Sequence, residues 1–262
     1  MIKIEHVVPP SPEQMEFIIE GMRNPMNSWD KSDSYLGFDC TACGHIEQDG
    51  MCKKGDPERE HCYYYYGLEL GPNDRNLMQR LSNAGTDHRK YMRMMPVYVR
   101  ITAPLYWWKE FDTYKVGTVA NSCSTMHKIH DKEFTIDDFS AEHLNNDVEC
   151  LKTDCGYSFM DYTLGIRDVL QVTIDALNNL RDKYINGVWY GGQLKLCKEK
   201  DIWWQMIQLL PSSYNQTRNV MMNYEVLANI YKSRRNHKLD EWREFCKWIE
   251  TLPYSELITG EE

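Results

Sequence analysis

No run of 18 uncharged apolar residues occurs anywhere in the chain, so a membrane-spanning helix is not expected. The opening residues MIKIEHVVPPSPEQ lack the apolar core of a secretory signal, which points to a cytoplasmic protein. Positive charge is also in short supply. Thirty Lys and Arg face 39 Asp and Glu, and the formal net charge of −9 would repel a phosphate backbone, so nucleic acid is not an expected partner. A small anionic ligand stays open, because one or two well-placed arginines hold a phosphate whatever the total charge. Internal repeats, low-complexity tracts and linkers are missing as well, and no region is poor enough in apolar residues to stay unfolded. These absences leave one folded domain over residues 1–262, carrying a cysteine-rich insertion at about 36–70.

The chain has enough apolar material for a substantial core, with 42% hydrophobic residues over 262 positions. Ile2 to Val8 alternates like a strand. Ser11-Pro12-Glu13-Gln14 then supplies a capping serine, a proline at the first helical position and a glutamine at the third, so a helix is expected to about Met22. Residues 23–72 read as irregular. Asn73 is expected to cap a second helix through Leu77, Leu81 and Ala84. Val97 to Ile101 alternates as a strand, and Ala103-Pro104 leads into the aromatic helix LYWWKEF.

An apolar stripe from Phe159 to Tyr184 predicts a long core helix, and a further helix is expected over about Gly192 to Leu209. A short strand near Arg218 to Met222 leads into the next helix, and a last helix carries Trp242, Phe245 and Ile249. Helices outnumber strands. The expected class is α+β, with helices packed around a small mixed or antiparallel sheet.

Two blocks carry a family resemblance: AGTDHRKYMRMMPVYVRITAPLYWWKEFDTYKVGTVANSCSTM at 84–126, and LLPSSYNQTRNVMMNYEVLANIYKSRR at 209–235. Their order resembles that of the flavin-dependent thymidylate synthases, in which an Ala-Gly start leads through a strand, an Ala-Pro pair and an aromatic helix to a signature loop. The second block matches at Leu210-Pro211, Asn223, Asn229 and Arg234. The resemblance implies FAD held through Asn229, Asn223, Lys115, Thr118 and Asn121, and a pyrimidine nucleotide such as deoxyuridine monophosphate held by Arg234, Ser122 and Ser124. It further implies reductive methylation at the pyrimidine C5 position, a folate methylene donor, NADPH and a homotetramer. Reduced flavin drives the carbon transfer in that family, so no catalytic nucleophile is assigned, although Cys123 falls where the family has a serine.

The first block departs from the family at its signature. Thr113 and Tyr114 stand where an arginine and a histidine are usual, and this removes charge from the flavin cradle. The alternative is therefore a nucleotide-binding or structural protein on the same scaffold that has lost flavin chemistry. Read from the residues alone, Asn223, Leu227, Ile230 and Arg234 share one helical face, with polar ends around an apolar stripe. In the insertion, Cys40-x-x-Cys43 with Cys52 and Cys62 provides four thiolates, and a structural zinc is weighed evenly against buried free thiols. The run Tyr63 to Tyr66 adds an aromatic surface that would suit an interface.

Overall fold

The computed structural model describes residues 2–38, 66–147, 149–152, 163–190, 193–195 and 199–260. In chain order the elements are β1 (Lys3–Val8), α1 (Pro12–Arg23), β2 (Tyr35–Phe38), β3 (Tyr66–Glu69), α2 (Pro72–Asn83), β4 (Pro96–Pro104), α3 (Leu105–Phe111) and β5 (Val119–Ser122). There follow β6 (Glu149–Lys152), β7 (Thr163–Gly165), α4 (Ile166–Asn186), β8 (Val188–Tyr190), β9 (Gln193–Lys195), α5 (Glu199–Leu209), β10 (Asn215–Asn223), α6 (Tyr224–Arg234), α7 (Asp240–Glu250) and α8 (Glu256–Thr259). The fold is α+β. One four-stranded sheet has the order β1-β4-β10-β5, and β2-β3, β6-β7 and β8-β9 are antiparallel two-stranded sheets.

Chain contacts divide the protein into two compact units: Met1–Glu5, Arg100–Thr113 and Ala120–Asn219 form the first, and His6–Val99, Tyr114–Val119 and Val220–Glu262 the second. In the first unit, Leu170, Ile174 and Leu177 of α4 pack with Met206 of α5 and with Ile129, Phe134 and Phe139. Trp107, Trp108 and Phe111 of α3 are buried there too, and Trp108 Nε1 donates to the Gln216 carbonyl at 2.8 Å, which satisfies the indole N–H. In the second unit, Met15, Ile18 and Met22 of α1, Met78 of α2, Leu227 and Ile230 of α6, and Trp242, Phe245 and Ile249 of α7 are buried.

Local chemistry accounts for the elements that the sequence foretells. Ser11 Oγ accepts from Gln14 N at 3.2 Å, and Gln14 Oε1 accepts from Ser11 N at 2.9 Å, completing the capping box of α1. Along β4, Val97, Val99, Ile101 and Ala103 are buried while Tyr98 and Arg100 are exposed, the period-two pattern of a strand with one covered face.

Four expectations are corrected. Residues 23–72 are not wholly irregular, because β2 and β3 pair across residues 35–38 and 66–69. Asn73 does not cap α2: the cap position is Gly71, and the Asp33 carboxylate accepts from the N–H groups of Asn73 and Asp74 at 2.9 and 3.1 Å. The long core helix begins at Ile166, since Thr163–Gly165 pairs with β6 as a strand. The helix expected from Gly192 begins at Glu199, and β8 and β9 form a hairpin before it. In the last two cases a short apolar stretch reads equally as helix or strand until its partner is known.

Candidate functional site

Helix α6 begins on Asn223, whose extended backbone and side-chain Oδ1, accepting from Val226 N at 3.0 Å, make it the N-cap. Leu227 and Ile230 turn inward and are fully buried, and Arg234 ends the helix, where a cation complements the dipole. Arg234 is held firmly. Its Nε donates to the Tyr114 hydroxyl at 2.9 Å, and its guanidinium carbon lies 4.8 Å from the Trp242 ring centre and 5.7 Å from that of Tyr114. Such stacking orients a guanidinium while adding cation–π attraction.

The turn from Tyr114 to Thr118 closes on itself through Thr118 Oγ1 donating to the Tyr114 carbonyl at 2.8 Å. It abuts the start of α6 at Gly117, which has φ +85°. A Cβ there would sit 2.9 Å from both Asn223 Nδ2 and Val226 Cγ2. Asn223, Thr118 and Arg234 are thus brought together around one turn, with Lys115 of the same turn exposed to solvent. Gly117→Ala is expected to cost about 1–3 kcal/mol, from positive-φ strain and displacement of the Asn223 amide. Urea denaturation checks it, and an unchanged midpoint would mean that the turn is not seated on α6.

Asn229 lies one turn further along α6 and lines a cleft of about 430 Å3 with Arg89, Lys232, Arg235, Thr86 and Thr259. None of the residues lining this cleft is acidic. Arg89 Nη2 donates to Asn229 Oδ1 at 2.8 Å, and because an arginine only donates, the carboxamide is oriented with Nδ2 as its remaining polar end. Arg89 Nε lies 2.7 Å from Glu225 Oε2, but neither Nε nor the Glu225 oxygens reach hydrogen-bond geometry. The contact is an ion pair that neutralises a carboxylate only 6% exposed. Lys232 and Arg235 have no ion-pair partner among the described residues, so the cleft keeps two uncompensated positive charges. Sequence reasoning missed Arg89, Lys232 and Arg235. The signal for Lys232 was its spacing of three residues from Asn229, which puts it near the same face of the helix.

Asn121 and Ser122 belong to the first unit, where they line a different cleft, of about 560 Å3, with Lys3, Arg100, Cys123 and Asn219. The backbone at Cys123 is pinned by its N–H donating to the Thr217 carbonyl at 2.9 Å and its carbonyl accepting from Gln216 Nε2 at 3.0 Å. The thiol is exposed. Ser124 does not line this cleft; its Oγ accepts from His127 N at 3.0 Å and closes a turn. Cys40, Cys43, Cys52 and Cys62, the expected zinc ligands, lie outside the described residues, as do Tyr63 to Tyr65. Among the described residues no group of three His, Cys, Asp or Glu side chains is placed to hold a metal ion, and no helix is long and apolar enough to cross a membrane.

No family model matches the sequence, and no curated protein matches it. Solved structures do. Thymidylate synthase X (ThyX) from Helicobacter pylori, solved with FAD and dUMP, superposes with a TM-score of 0.53 at 15% identity, over 98% of this chain and 94% of that one. The UMP/dUMP methylase PolB from Streptomyces cacaoi, bound with 5-Br dUMP, gives a TM-score of 0.51 at 14% identity, over 99% and 95% of the two chains. Over nearly its whole length, the chain therefore has the fold of the flavin-dependent thymidylate synthases.

Proposed function

We propose that this protein is a pyrimidine-nucleotide methylating enzyme of the flavin-dependent thymidylate synthase type, acting on deoxyuridine monophosphate or a close relative. The observation that carries this reading is the seating of the Tyr114–Thr118 turn on α6, through Gly117 at Asn223 and through Tyr114 at Arg234. The two sequence blocks that resemble the family meet there in the second unit.

The fit to FAD can be tested on the side chains. Thr113 and Tyr114 offer it nothing: the Thr113 hydroxyl donates to the Glu110 carbonyl at 2.7 Å, and the Tyr114 hydroxyl accepts from Arg234. The cleft beside Asn229 does fit, since Lys232 and Arg235 supply positive charge and the Asn229 amide supplies a fixed donor for a phosphate-bearing group. Asn229, Lys232 and Arg235 would hold the cofactor. When bound, reduced FAD supplies the reducing power by which a folate-borne methylene carbon becomes a methyl group on pyrimidine C5, and NADPH restores the reduced flavin. The chain's own part is to bind and orient. Arg234, oriented by Tyr114 and Trp242, is the residue of the second unit proposed to meet the nucleotide phosphate; Asn121, Ser122 and Arg100 line the polar cleft of the first unit and offer donors to a nucleotide.

Purified protein is expected to be yellow, or to become so on adding FAD. Arg235→Ala is expected to weaken FAD binding by about 10- to 100-fold, the value of one charge-assisted hydrogen bond. Titration by calorimetry measures both. A colourless protein indifferent to FAD would sink the flavin reading. It would favour a nucleotide-binding protein without redox chemistry, which the engaged hydroxyls of Thr113 and Tyr114 support.

A further inference from the structure

The second unit contains another cleft, of about 480 Å3, between the end of α1, the chain that follows it, and α2. Its lining includes Arg23, Lys31, Arg80, Asn73, Asn76 and Ser28, so it carries three cations and two carboxamides but no carboxylate. In a chain of net charge −9 this is a local reversal of sign.

Arg23 is 4% exposed, and most of its donors are already committed. Nε donates to Asp74 Oδ1 at 2.6 Å, and Nη1 donates to the Ser28 carbonyl at 3.2 Å and to Ser28 Oγ at 3.4 Å. Nη2 has no partner among the described residues, although it belongs to an otherwise buried guanidinium. Lys31 and Arg80 have no ion-pair partner among the described residues, and the side-chain amides of Asn73 and Asn76 have no hydrogen bond there either. Two of the nearby acids, Asp74 and Asp33, are occupied. Asp74 Oδ2 accepts from Ser32 Oγ, Ser34 Oγ and the N–H groups of Asp33 and Ser34, and Asp33 caps α2. A smaller adjoining cavity of about 150 Å3, also lined by Arg23, carries Glu16 and Glu20 and is unsuited to an anion.

We infer that the Arg23–Lys31–Arg80 cleft is a binding site for a phosphorylated small molecule, separate from the clefts assigned above to cofactor and nucleotide. An arginine whose orientation is locked by a buried carboxylate presents its remaining N–H pair to a phosphate at little entropic cost. Lys31 and Arg80 supply the charge at the mouth. The two carboxamides read polar groups on the rest of the ligand, while Met26 and Leu77 give it an apolar floor. The volume lies within the range usual for small-molecule sites.

Inorganic diphosphate is the probe, measured by equilibrium dialysis at constant ionic strength. Lys31→Gln with Arg80→Gln changes two exposed side chains and should leave the fold intact, which a thermal melt verifies. The pair is expected to lower diphosphate affinity by about 10-fold or more, as loss of charge-assisted bonds implies. Arg235→Gln, in the cleft beside Asn229, lowers only the uptake that belongs to that cleft, and in this variant the Asn73 and Asn76 side-chain amide resonances should still shift on titration with diphosphate. The inference is overturned by any of three results: no diphosphate uptake, full uptake by the double variant, or loss of all uptake through Arg235→Gln alone. The last would place the anion in the proposed cofactor cleft and leave the flavin reading standing, so the two proposals fail separately.

Discussion

Trp242→Ala is expected to destabilise the protein by about 3–5 kcal/mol and to weaken nucleotide binding in whatever fraction stays folded. Trp242 is fully buried, packs edge-on against Phe245 with ring centres 6.0 Å apart, and meets the Tyr114 ring at 6.0 Å. Removing the indole leaves a cavity and takes away the nearer of the two rings that bracket the Arg234 guanidinium. Trp242→Phe separates the effects, because it keeps an aromatic face toward Arg234 while losing part of the volume. Urea denaturation gives the stability, and calorimetry with deoxyuridine monophosphate on both variants gives the affinity. If Trp242→Ala binds nucleotide as tightly as the parent, the orientation of Arg234 has no part in recognition.

Asp74→Ala carries an equally large penalty, for a different reason. Asp74 is completely buried and accepts from Arg23, from two serine hydroxyls and from two backbone N–H groups, so its removal strands the guanidinium and four further donors. Loss of one partner from a buried, hydrogen-bonded pair costs about 3–5 kcal/mol. Burial alone would raise the Asp74 carboxyl, but the bonds from Ser34, Ser32, Arg23 and the Asp33 N–H outweigh it and hold the group below the usual carboxylate value of 3.8. A folded-state value below the unfolded one stabilises the protein above the unfolded pKa, and that contribution disappears as pH falls through the folded value. The stability gap between parent and Asp74→Ala should therefore be full near neutrality and shrink in strong acid. Denaturation curves across that range test it; a gap that does not narrow would mean that the carboxylate is not the stabilising species.

The structure also shows where pattern alone loses its grip. Capping boxes and alternation act over three to five residues, so the start of α1, the face of β4 and the Asn223 cap of α6 are legible locally. The cap of α2 is not, because its acceptor is Asp33, 40 residues upstream of Asn73 in the chain. Nor is the Arg89–Glu225 pair, in which a buried helix-start glutamate is matched by an arginine 136 residues earlier (225 − 89). The hairpin β8–β9 was hidden for a related reason: three-residue strands acquire their identity from a neighbour.

By itself, the sequence determined the class, the order of the main elements and the helix that bears Asn223, Asn229 and Arg234, since periodicity and capping are set by neighbouring residues. Only the tertiary structure decided which polar groups are spent and which remain available. It engaged the hydroxyls of Thr113 and Tyr114, sent Thr118 and Ser122 to different units, and left Lys232 and Arg235 without ion-pair partners and one nitrogen of Arg23 without a hydrogen-bond partner among the described residues. Hydrogen bonds and ion pairs are satisfied in space, and a one-dimensional pattern does not record who satisfies whom.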